Sequence, residues 1–414
     1  MRQFRQFPKD GPMHLRPAGP AQDIFARTRS LLVDLCAISS ESGNAAGLRR
    51  AASRLAEDLE RHGLRVEIAE ERDARGELQP VLVARGPSAA ANHLLLVGHM
   101  DTVLPAREPR LETDRLLASG ALDMKGGLAM LVGALDVLAS EGRRAPEDLV
   151  FLAVPDEESE GAISGAAMRK WSERARAVLV LEAGSARAGC ETLVTGRRGL
   201  TEWKLDVTGR AAHSGLAYWE GRSALAAAAD WCLRAQGLSA PGSGRTINVA
   251  RLVAGPADFV DDLGANLGLI GTSRQLNVVP DRAVAEGEVR YLTAAEAACS
   301  FADLEALAGR VASERDASVR FSRGASVPPV DPRGPGAALA RRIVELAAAR
   351  GFHLEIEEDR GGISFPNFLA DPGRIPVVDG LGPVGEGMHT REEWLDLRSL
   401  ERRIVLLADL LATL

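Results

Sequence analysis

Three apolar runs along the chain stop abruptly at side chains that commonly bind metal ions. The runs cover residues 94–98, 148–154 and 177–181. Short uninterrupted apolar runs predict buried strands, and ligands of open α/β sheets bind beyond the carboxyl ends of the strands. The polar residues that follow the runs are therefore expected to share one site: His99 and Asp101, Glu157 and Glu158, and Glu182, respectively.

Apolar spacing elsewhere in the first half of the chain predicts strands and helices in alternation. Residues 24–35 and 45–59 have helical spacing, and residues 64–68 and 81–84 are typical of short strands. After Asp123, leucines and a valine recur at intervals of three and four, which predicts one face of a helix. This alternation predicts an α/β fold, a mixed sheet flanked by helices.

The pattern changes near Thr195. Strands are predicted at 202–207, 246–253, 283–292 and 318–321, with helices at 221–236 and 294–313. This order of strands and helices is ferredoxin-like. An α/β domain at 23–195 and 325–414, interrupted by a smaller α+β domain at 196–324, is therefore predicted, with a disordered start at 1–22.

Composition excludes several classes of protein. The chain has 414 residues, of which 46% are hydrophobic and 26% charged, as expected of a globular enzyme. A formal charge of −7 argues against binding to nucleic acids or membrane surfaces. No apolar stretch approaches the roughly 20 residues that span a bilayer. The four cysteines form no C-x-x-C motif, so reduced thiols and a cytoplasmic location are expected.

Imidazole nitrogens and carboxylate oxygens suit zinc and related divalent metals. The candidate ligands are His99, Asp123, Glu157, Glu158, Glu182 and His389. Neighbouring residues such as Glu157 and Glu158 do not easily point the same way, so one is expected to bind metal and the other to act as a general base. Like charges about 4 Å apart repel by about 4 kcal/mol at an effective dielectric constant near 20. Two divalent metals would remove the repulsion among three ligand carboxylates.

Each candidate also has a simpler interpretation. Asp123 is a common type of residue at the start of a helix, and a pair of glutamates usually lies on a solvated face. His213, in a turn of small residues, is equally typical of an exposed surface, and Arg290 of an exposed strand. The argument for a metal site therefore depends on the convergence of these residues.

Taken together and in this order, the motifs resemble those of the dinuclear zinc aminoacylase/carboxypeptidase family, which includes glutamate carboxypeptidase, acetylornithine deacetylase and succinyl-diaminopimelate desuccinylase. Glu182 makes the glutamate carboxypeptidase branch the most similar, because other branches often carry aspartate there. The resemblance covers about residues 24–414 and rests on these segments: Gly98-His-Met-Asp-Thr-Val, Asp123-Met-Lys-Gly-Gly, Asp156-Glu-Glu, Leu181-Glu, Gly209-Arg-Ala-Ala-His and Met388-His.

The resemblance implies a zinc-exopeptidase type of fold, in which the inserted domain is a lid that forms a homodimer. It implies two divalent metals, zinc in the first instance, with manganese or cobalt as alternatives. For the metals, the resemblance implies that His99 and Glu182 hold one, Glu158 and His389 hold the other, and Asp123 bridges both. It implies that Glu157 is the general base, that Asp101 orients His99, and that His213 stabilises the oxyanion, often from the partner subunit. Asn277 and Arg290 would contact the substrate, with Arg290 binding the carboxylate of the substrate.

One segment departs from the family pattern. Relatives usually carry a small polar segment such as Gly-Gly-Ser-Asp, where this chain has Gly361-Gly-Ile-Ser364-Phe365-Pro-Asn-Phe. If the segment lines the substrate pocket as in relatives, Ser364 and Phe365 contact the substrate and make the pocket more apolar. The resemblance then supports hydrolysis by this chain more strongly than it supports the glutamate preference of glutamate carboxypeptidase.

The sequence therefore predicts a metal-dependent hydrolase that cleaves an amide C–N bond of an N-acyl amino acid or small peptide with a carboxylate. Two alternatives stay open. The first is an aminohydrolase acting on a carboxylate-bearing aromatic or heterocyclic amine, and the second is a non-catalytic binding protein on the same fold.

Overall fold

The computed structural model describes residues 20–89, 92–159, 161–187, 189–239, 242, 244–265 and 277–414. These residues form two compact units: the first comprises the described residues up to Gly196 with Asp331–Arg360 and Ser364–Leu414, and the second comprises Arg197–Val330 with Gly361–Ile363. Of the start predicted to be disordered, residues 1–19 lie outside the described residues, and residues 20–22 belong to the first helix.

The α-helices of the described residues are, in chain order, α1 (Pro20–Ala37), α2 (Ala45–Arg61), α3 (Gly126–Ser140), α4 (Ala162–Ser172), α5 (Ala224–Gln236), α6 (Ala257–Ala265), α7 (Ala294–Arg315), α8 (Gly336–Ala349) and α9 (Leu397–Thr413). The strands are β1 (Arg65–Arg72), β2 (Leu78–Arg85), β3 (His93–His99), β4 (Arg110–Leu111), β5 (Arg115–Leu117), β6 (Leu149–Val154), β7 (Ala175–Val180), β8 (Ala186–Arg187), β9 (Cys190–Val194), β10 (Gly199–Thr208), β11 (Thr246–Gly255), β12 (Arg282–Tyr291), β13 (Ser318–Val327), β14 (Leu354–Glu357), β15 (Val377–Val378), β16 (Gly385–Glu386) and β17 (Trp394–Asp396).

The main sheet of the first unit has six strands in the order β1-β2-β6-β3-β7-β15. β3 lies between β6 and β7 and is parallel to both, with Leu94 opposite Leu149 and Ala177. All residues of β3 and β6 are buried, which explains why these strands appear in the sequence as continuous apolar runs. Helix α3, itself largely buried, packs against α1 and α9. The predicted α/β sheet is confirmed.

A second, small sheet of the first unit has the order β16-β17-β5-β4. Its strands are two or three residues long, too short to show an alternating pattern in the sequence. The connection between β16 and β17 carries His389 and Glu393.

The second unit contains a four-stranded antiparallel sheet in the order β11-β12-β10-β13. Side chains of β10 alternate between buried and more exposed positions, as expected of a sheet with one covered face. The core of this unit contains Trp203 of β10, Trp231 of α5 and Leu304 of α7. The strand order is ferredoxin-like, and α6 is an addition in the connection between β11 and β12.

Two boundaries differ from the sequence prediction for physical reasons. Helix α5 begins at Ala224 rather than 221, because the Ser223 side chain accepts a hydrogen bond from the Ala226 N–H and caps the helix there. The second unit continues to Val330 rather than 324 because β13 extends to Val327 along β10. Among the described residues, no helix is both long and apolar enough to cross a membrane.

Candidate metal centre

The three predicted strand ends lie at one edge of the main sheet. His99 is the last residue of β3, Glu157 and Glu158 follow β6, and Glu182 follows β7. Because β6, β3 and β7 are adjacent and parallel, their carboxyl ends meet. The ligand atoms of His99, Asp123 and Glu158 lie within 4.8 Å of one another, as do those of His99, Glu157 and Glu182.

Asp123 lies between two histidines. Its Oδ1 is 3.2 Å from Nε2 of His99, and its Oδ2 is 3.3 Å from Nε2 of His389. The residue belongs to an irregular turn over Ala121–Lys125 that precedes α3, and the Asp123–Met124 peptide bond is cis. Asp123 is therefore not a simple helix cap, because both carboxylate oxygens face imidazoles.

The shortest contacts divide the cluster into two groups that share Asp123. In the first group, His99 Nε2 lies 3.5 Å from Glu182 Oε1. In the second, His389 Nε2 lies 3.1 Å from Glu158 Oε2. Glu157 reaches His99 and Glu182, whereas Glu158 lies with His99 and Asp123 and has its shortest contact with His389. The division of roles between the two glutamates stays a prediction.

The backbone around His389 is in an unusual conformation. His389 has a backbone φ of +64°, which residues other than glycine rarely adopt, and Gly387 has a φ of +82°. A Cβ atom on Gly387 would lie 2.7 Å from the Glu392 carbonyl oxygen, so glycine is required there. This turn brings the imidazole to Asp123 and Glu158, and strained residues of this kind cluster at functional sites.

Burial and mutual repulsion keep the carboxylates from ionising together. Burial and the neighbouring Asp123 raise the pKa of Glu158 to about 8. Burial raises the pKa of Glu182 well above its usual range against the opposing effect of His99. The hydrogen bond with Asp123 raises the pKa of His389 to about 9. Without a bound cation, Glu158 and His389 are therefore largely protonated at neutral pH.

The cluster fits divalent metal ions. Glu158 Oε1 is buried and has no hydrogen-bond partner among the described residues, which is unfavourable for an oxygen of a carboxylate unless a cation or water contacts it. A tetrahedral zinc site with bonds of about 2.1 Å has ligand atoms about 3.4 Å apart. The contacts of 3.1–3.5 Å around the two histidines agree with this spacing.

Asp101 is held behind the cluster and is fully buried. Nδ1 of His99 lies 3.0 Å from the Asp101 carbonyl oxygen and 3.3 Å from Oδ1, a position from which Asp101 can orient the imidazole. Its carboxylate also accepts hydrogen bonds from the backbone N–H groups of Glu157 and Glu158 and from the Ser42 hydroxyl, at 2.7–3.2 Å. These further contacts were not predicted.

Two other buried carboxylates were missed by the sequence analysis. Asp156 accepts from the N–H groups of Ile163 and Ser164 and thereby fixes the loop that carries Glu157. Glu393 accepts from three N–H groups of the turn that carries Asp123. Asp156 belongs to the Asp156-Glu-Glu motif, but the motif alone predicted no role for it. Nothing in the sequence distinguishes Glu393 from its exposed neighbour Glu392.

His213 and Asn277 lie on paired segments of the second unit. The Ser214 N–H donates to the Asn277 carbonyl at 2.8 Å, and His213 bridges to Val278. The Gly215 N–H lies 3.1 Å from Nδ1 of His213, so Nδ1 accepts and the proton of the neutral ring is on Nε2. His213 is exposed and can donate a hydrogen bond through Nε2.

Arg290 of β12 is engaged within the second unit. Its Nε and Nη2 lie 2.8 and 3.4 Å from the two carboxylate oxygens of Glu288, and Nη1 donates to the Gly361 carbonyl at 2.9 Å. The Nε–Nη2 side of the guanidinium, one of the two sides that can bind a carboxylate with two parallel hydrogen bonds, is thus occupied by Glu288.

In the segment that departs from the family pattern, residues 364–367 are buried, whereas Gly361 and Gly362 are exposed. Phe365 is completely buried, with its ring centre 6.3 Å from the His99 ring. Ser364 is 4% exposed. The predicted contact of Phe365 with substrate is not supported by this position, because its side chain offers no surface to a ligand. The residue instead packs beside a candidate metal ligand.

A family model for peptidase family M20/M25/M40 matches residues 95–413. The chain belongs to this family. Carboxypeptidase G2 of Pseudomonas sp. (strain RS-16) is 28% identical over 95% of this chain and 90% of its own. Among solved structures, the aminopeptidase PepT of Bacillus cereus ATCC 10987 has a TM-score of 0.73 at 20% identity and covers 94% of this chain and 99% of its own. The YXEP protein of Bacillus subtilis, a dinuclear metal binding peptidase, has a TM-score of 0.63 at 16% identity, over 95% of this chain and 98% of its own.

Membership of the M20/M25/M40 family establishes the chain as a metallohydrolase that acts on amide bonds of peptides or acyl amino acids. The predicted family, fold and reaction class are confirmed, and the alternative of a non-catalytic binding protein is set aside. The individual roles of the site residues stay predictions.

Metal binding to the metal-free protein is expected to release protons. Glu158, with a pKa of about 8, and His389, with a pKa of about 9, are largely protonated at pH 7, whereas metal ligands are deprotonated. Calorimetric titration of Zn²⁺ at pH 7, in two buffers with different ionisation enthalpies, should show at least one proton released per chain. The number should fall as the pH rises above 9, and zero release at pH 7 would contradict the described electrostatics.

Proposed function

We propose that this M20/M25/M40 hydrolase uses two divalent metals, zinc in the first instance, to remove an amino acid that carries a free carboxylate from a peptide or N-acyl group. One observation carries the two-metal proposal: the two oxygens of Asp123 face His99 and His389 separately. Nε2 of each histidine lies 3.1–3.5 Å from the carboxylate of one further residue, Glu182 for His99 and Glu158 for His389. The dinuclear centre named for the structurally similar YXEP protein supports it.

His99, Asp123 and Glu182 would hold one metal, and Asp123, Glu158 and His389 the other. When bound, such metals supply Lewis-acid activation of a water molecule and of the carbonyl group. Glu157 takes a proton from the attacking water and passes it to the leaving nitrogen. Its backbone N–H is fixed by Asp101 at 3.2 Å, and its side chain reaches the group of His99 and Glu182.

His213 supplies a hydrogen bond to the oxyanion that develops on the carbonyl oxygen. The support is its tautomer: Nδ1 accepts the Gly215 N–H, which leaves the proton on Nε2. Asn277, whose backbone pairs with the segment of His213, is proposed to contact the substrate beside it.

Arg290 is proposed to bind the substrate carboxylate in exchange for Glu288. A guanidinium and a carboxylate form two parallel charge-assisted hydrogen bonds, which is the arrangement that Glu288 now makes. The substrate therefore competes with an internal carboxylate. Glu288 lowers the affinity of the enzyme for anionic substrates and favours those whose carboxylate is well placed.

We also propose a homodimer formed by the second unit. Large exposed apolar residues concentrate there between positions 216 and 233; this 216–233 patch comprises Leu216, Tyr218, Trp219, Leu225 and Leu233. Leu216 is 87% and Trp219 88% exposed, and a concentration of large exposed apolar side chains is typical of an interaction site. A second copy of the chain is the proposed occupant. The cytoplasmic location stays a prediction that rests on the cysteines.

Replacing Glu157 by glutamine should leave about two metals per chain and lower kcat by about 10²–10⁴-fold, because the general base is lost while its size is kept. Purified enzyme loaded with Zn²⁺ would be assayed on N-acyl amino acids, dipeptides and aryl amines, with separate detection of amino acid and ammonia. Glu345→Gln, an exposed glutamate of α8, is the control. A Glu157→Gln enzyme within a few-fold of wild type would refute the assigned role.

Replacing Glu288 by glutamine should lower KM for the best carboxylate-bearing substrate by about 10-fold, because the arginine loses a competing anion. Arg290→Ala should raise KM for that substrate and leave its carboxamide analogue unaffected. Glu286→Gln is the matched control, since Glu286 lies on the same strand and pairs with Arg251 instead. Equal effects on the acid and its carboxamide would contradict the proposal.

Replacing Leu216 and Trp219 together by aspartate should weaken the dimer by at least about 100-fold, because buried charges at the centre of an interface are unfavourable. Sedimentation velocity over a concentration series measures this dissociation. Leu111→Asp, which introduces the same charge at an exposed leucine of the first unit, should leave the dimer intact. A wild-type chain that is monomeric at about 50 μM would contradict the proposed dimer.

A further inference from the structure

The Glu393 side chain is an acidic group beside the centre that none of the roles above uses. It is 4% exposed and, with Asp123, Glu158 and His389, lines the same small cavity. Both of its oxygens accept backbone hydrogen bonds: Oε1 from Leu122 at 2.8 Å and Asp123 at 3.1 Å, and Oε2 from Gly120 at 2.8 Å. The carboxylate thus contacts the turn of Asp123 rather than an imidazole.

This turn needs an acceptor from elsewhere. Asp123 and Met124 have non-helical backbone angles within Ala121–Lys125, so their segment does not form the regular hydrogen bonds of a helix. Buried backbone N–H groups that lack an acceptor are strongly unfavourable. Gly120 has a φ of +73°, and a Cβ atom there would lie 2.3 Å from Cγ2 of Thr102, so the turn has little room to shift toward another acceptor.

Glu393 is itself held firmly by its backbone. Its carbonyl oxygen accepts from Arg107 Nη2 at 2.8 Å, and the next residue, Trp394, pairs with Leu117 in the small sheet. His389 lies four residues earlier in the same connection between β16 and β17. The Glu393 side chain therefore ties the segment of His389 to the segment of Asp123, which are distant in the sequence.

We propose that Glu393 is a positioning residue that sets the spacing between Asp123 and His389 and thereby the metal affinity of the group that they form with Glu158. Its two oxygens are already engaged by three N–H groups, so it acts through the turn and not as a ligand. This inference rests on the proposed two-metal function. Outer carboxylates that orient metal ligands typically affect metal affinity by about 10–100-fold.

The test uses the metal-free full-length protein and Co²⁺ as the probe, with binding followed by visible absorption, which reports the geometry around the ion. Wild type should bind two Co²⁺ per chain. Glu393→Gln keeps the size of the side chain but replaces one accepting oxygen by an NH₂ group, which faces a backbone N–H. It should weaken one of the two binding steps by about 10–100-fold and change the spectrum of that step. Glu392→Gln, the same change at the exposed neighbour, should match wild type.

Three outcomes would overturn the inference. They are a folded Glu393→Gln protein with both steps within about twofold of wild type, an equal loss in both steps with a lower Tm, and an equal effect of Glu392→Gln. If the glutamine variant does not fold, Glu393→Asp, which keeps the carboxyl group but shortens the side chain, is judged by the same criteria. A wild-type protein that binds fewer than two Co²⁺ would instead contradict the two-metal proposal, so the two failures are distinguishable.

Discussion

Electrostatic repulsion among buried carboxylates is the constraint on which the rest of this structure depends. Asp123, Glu158 and Glu182 meet at the carboxyl ends of three parallel strands. Two carboxylates about 4 Å apart repel by about 4 kcal/mol at an effective dielectric constant near 20. Without metal, this repulsion is reduced because the pKa values of Glu158 and Glu182 are raised and because two imidazoles lie beside the carboxylates. Cations at this position remove the need for protons, so the fold places there a site that is complete only with bound metal.

A second set of carboxylates holds the first set in place and has a different chemistry. Asp101 and Glu393 accept backbone N–H groups of segments that carry candidate ligands, and Asp156 accepts N–H groups of the first turn of α4. These N–H groups lie in irregular connections or in the first turn of a helix, where they lack sheet or helix partners. The enzyme therefore contains two kinds of buried acid: those that need a cation and those satisfied by the backbone.

The sequence predicted the first kind of acid and missed most of the second. The strands β3, β6 and β7 are buried on both faces, so their residues form continuous apolar runs with visible ends, and His99 and Glu182 could be placed from them. Glu393 is separated from its partner Asp123 by 270 residues, and its sequence context matches that of the exposed Glu392. A contact of this range depends on the packing of the small sheet, whose two- and three-residue strands have no pattern of their own. The pairing of Arg290 with Glu288 could not be predicted either, because the polar residues of an exposed strand and those of a substrate site follow the same alternating pattern in the sequence.

The position of Phe365 changes how substrate selectivity is to be understood in this enzyme. A bulky residue in the departing segment suggested a more apolar pocket, yet its side chain is completely buried and lies beside the ring of His99. A buried aromatic ring restricts the imidazole that packs against it, because interiors are closely packed and tolerate little movement. Phe365 and Asp101, whose carbonyl oxygen lies by Nδ1 of that ring, thus both lie beside His99, a proposed metal ligand. The pair proposed to govern selectivity for the substrate is Glu288–Arg290, in which an internal carboxylate already occupies the Nε–Nη2 side of the guanidinium.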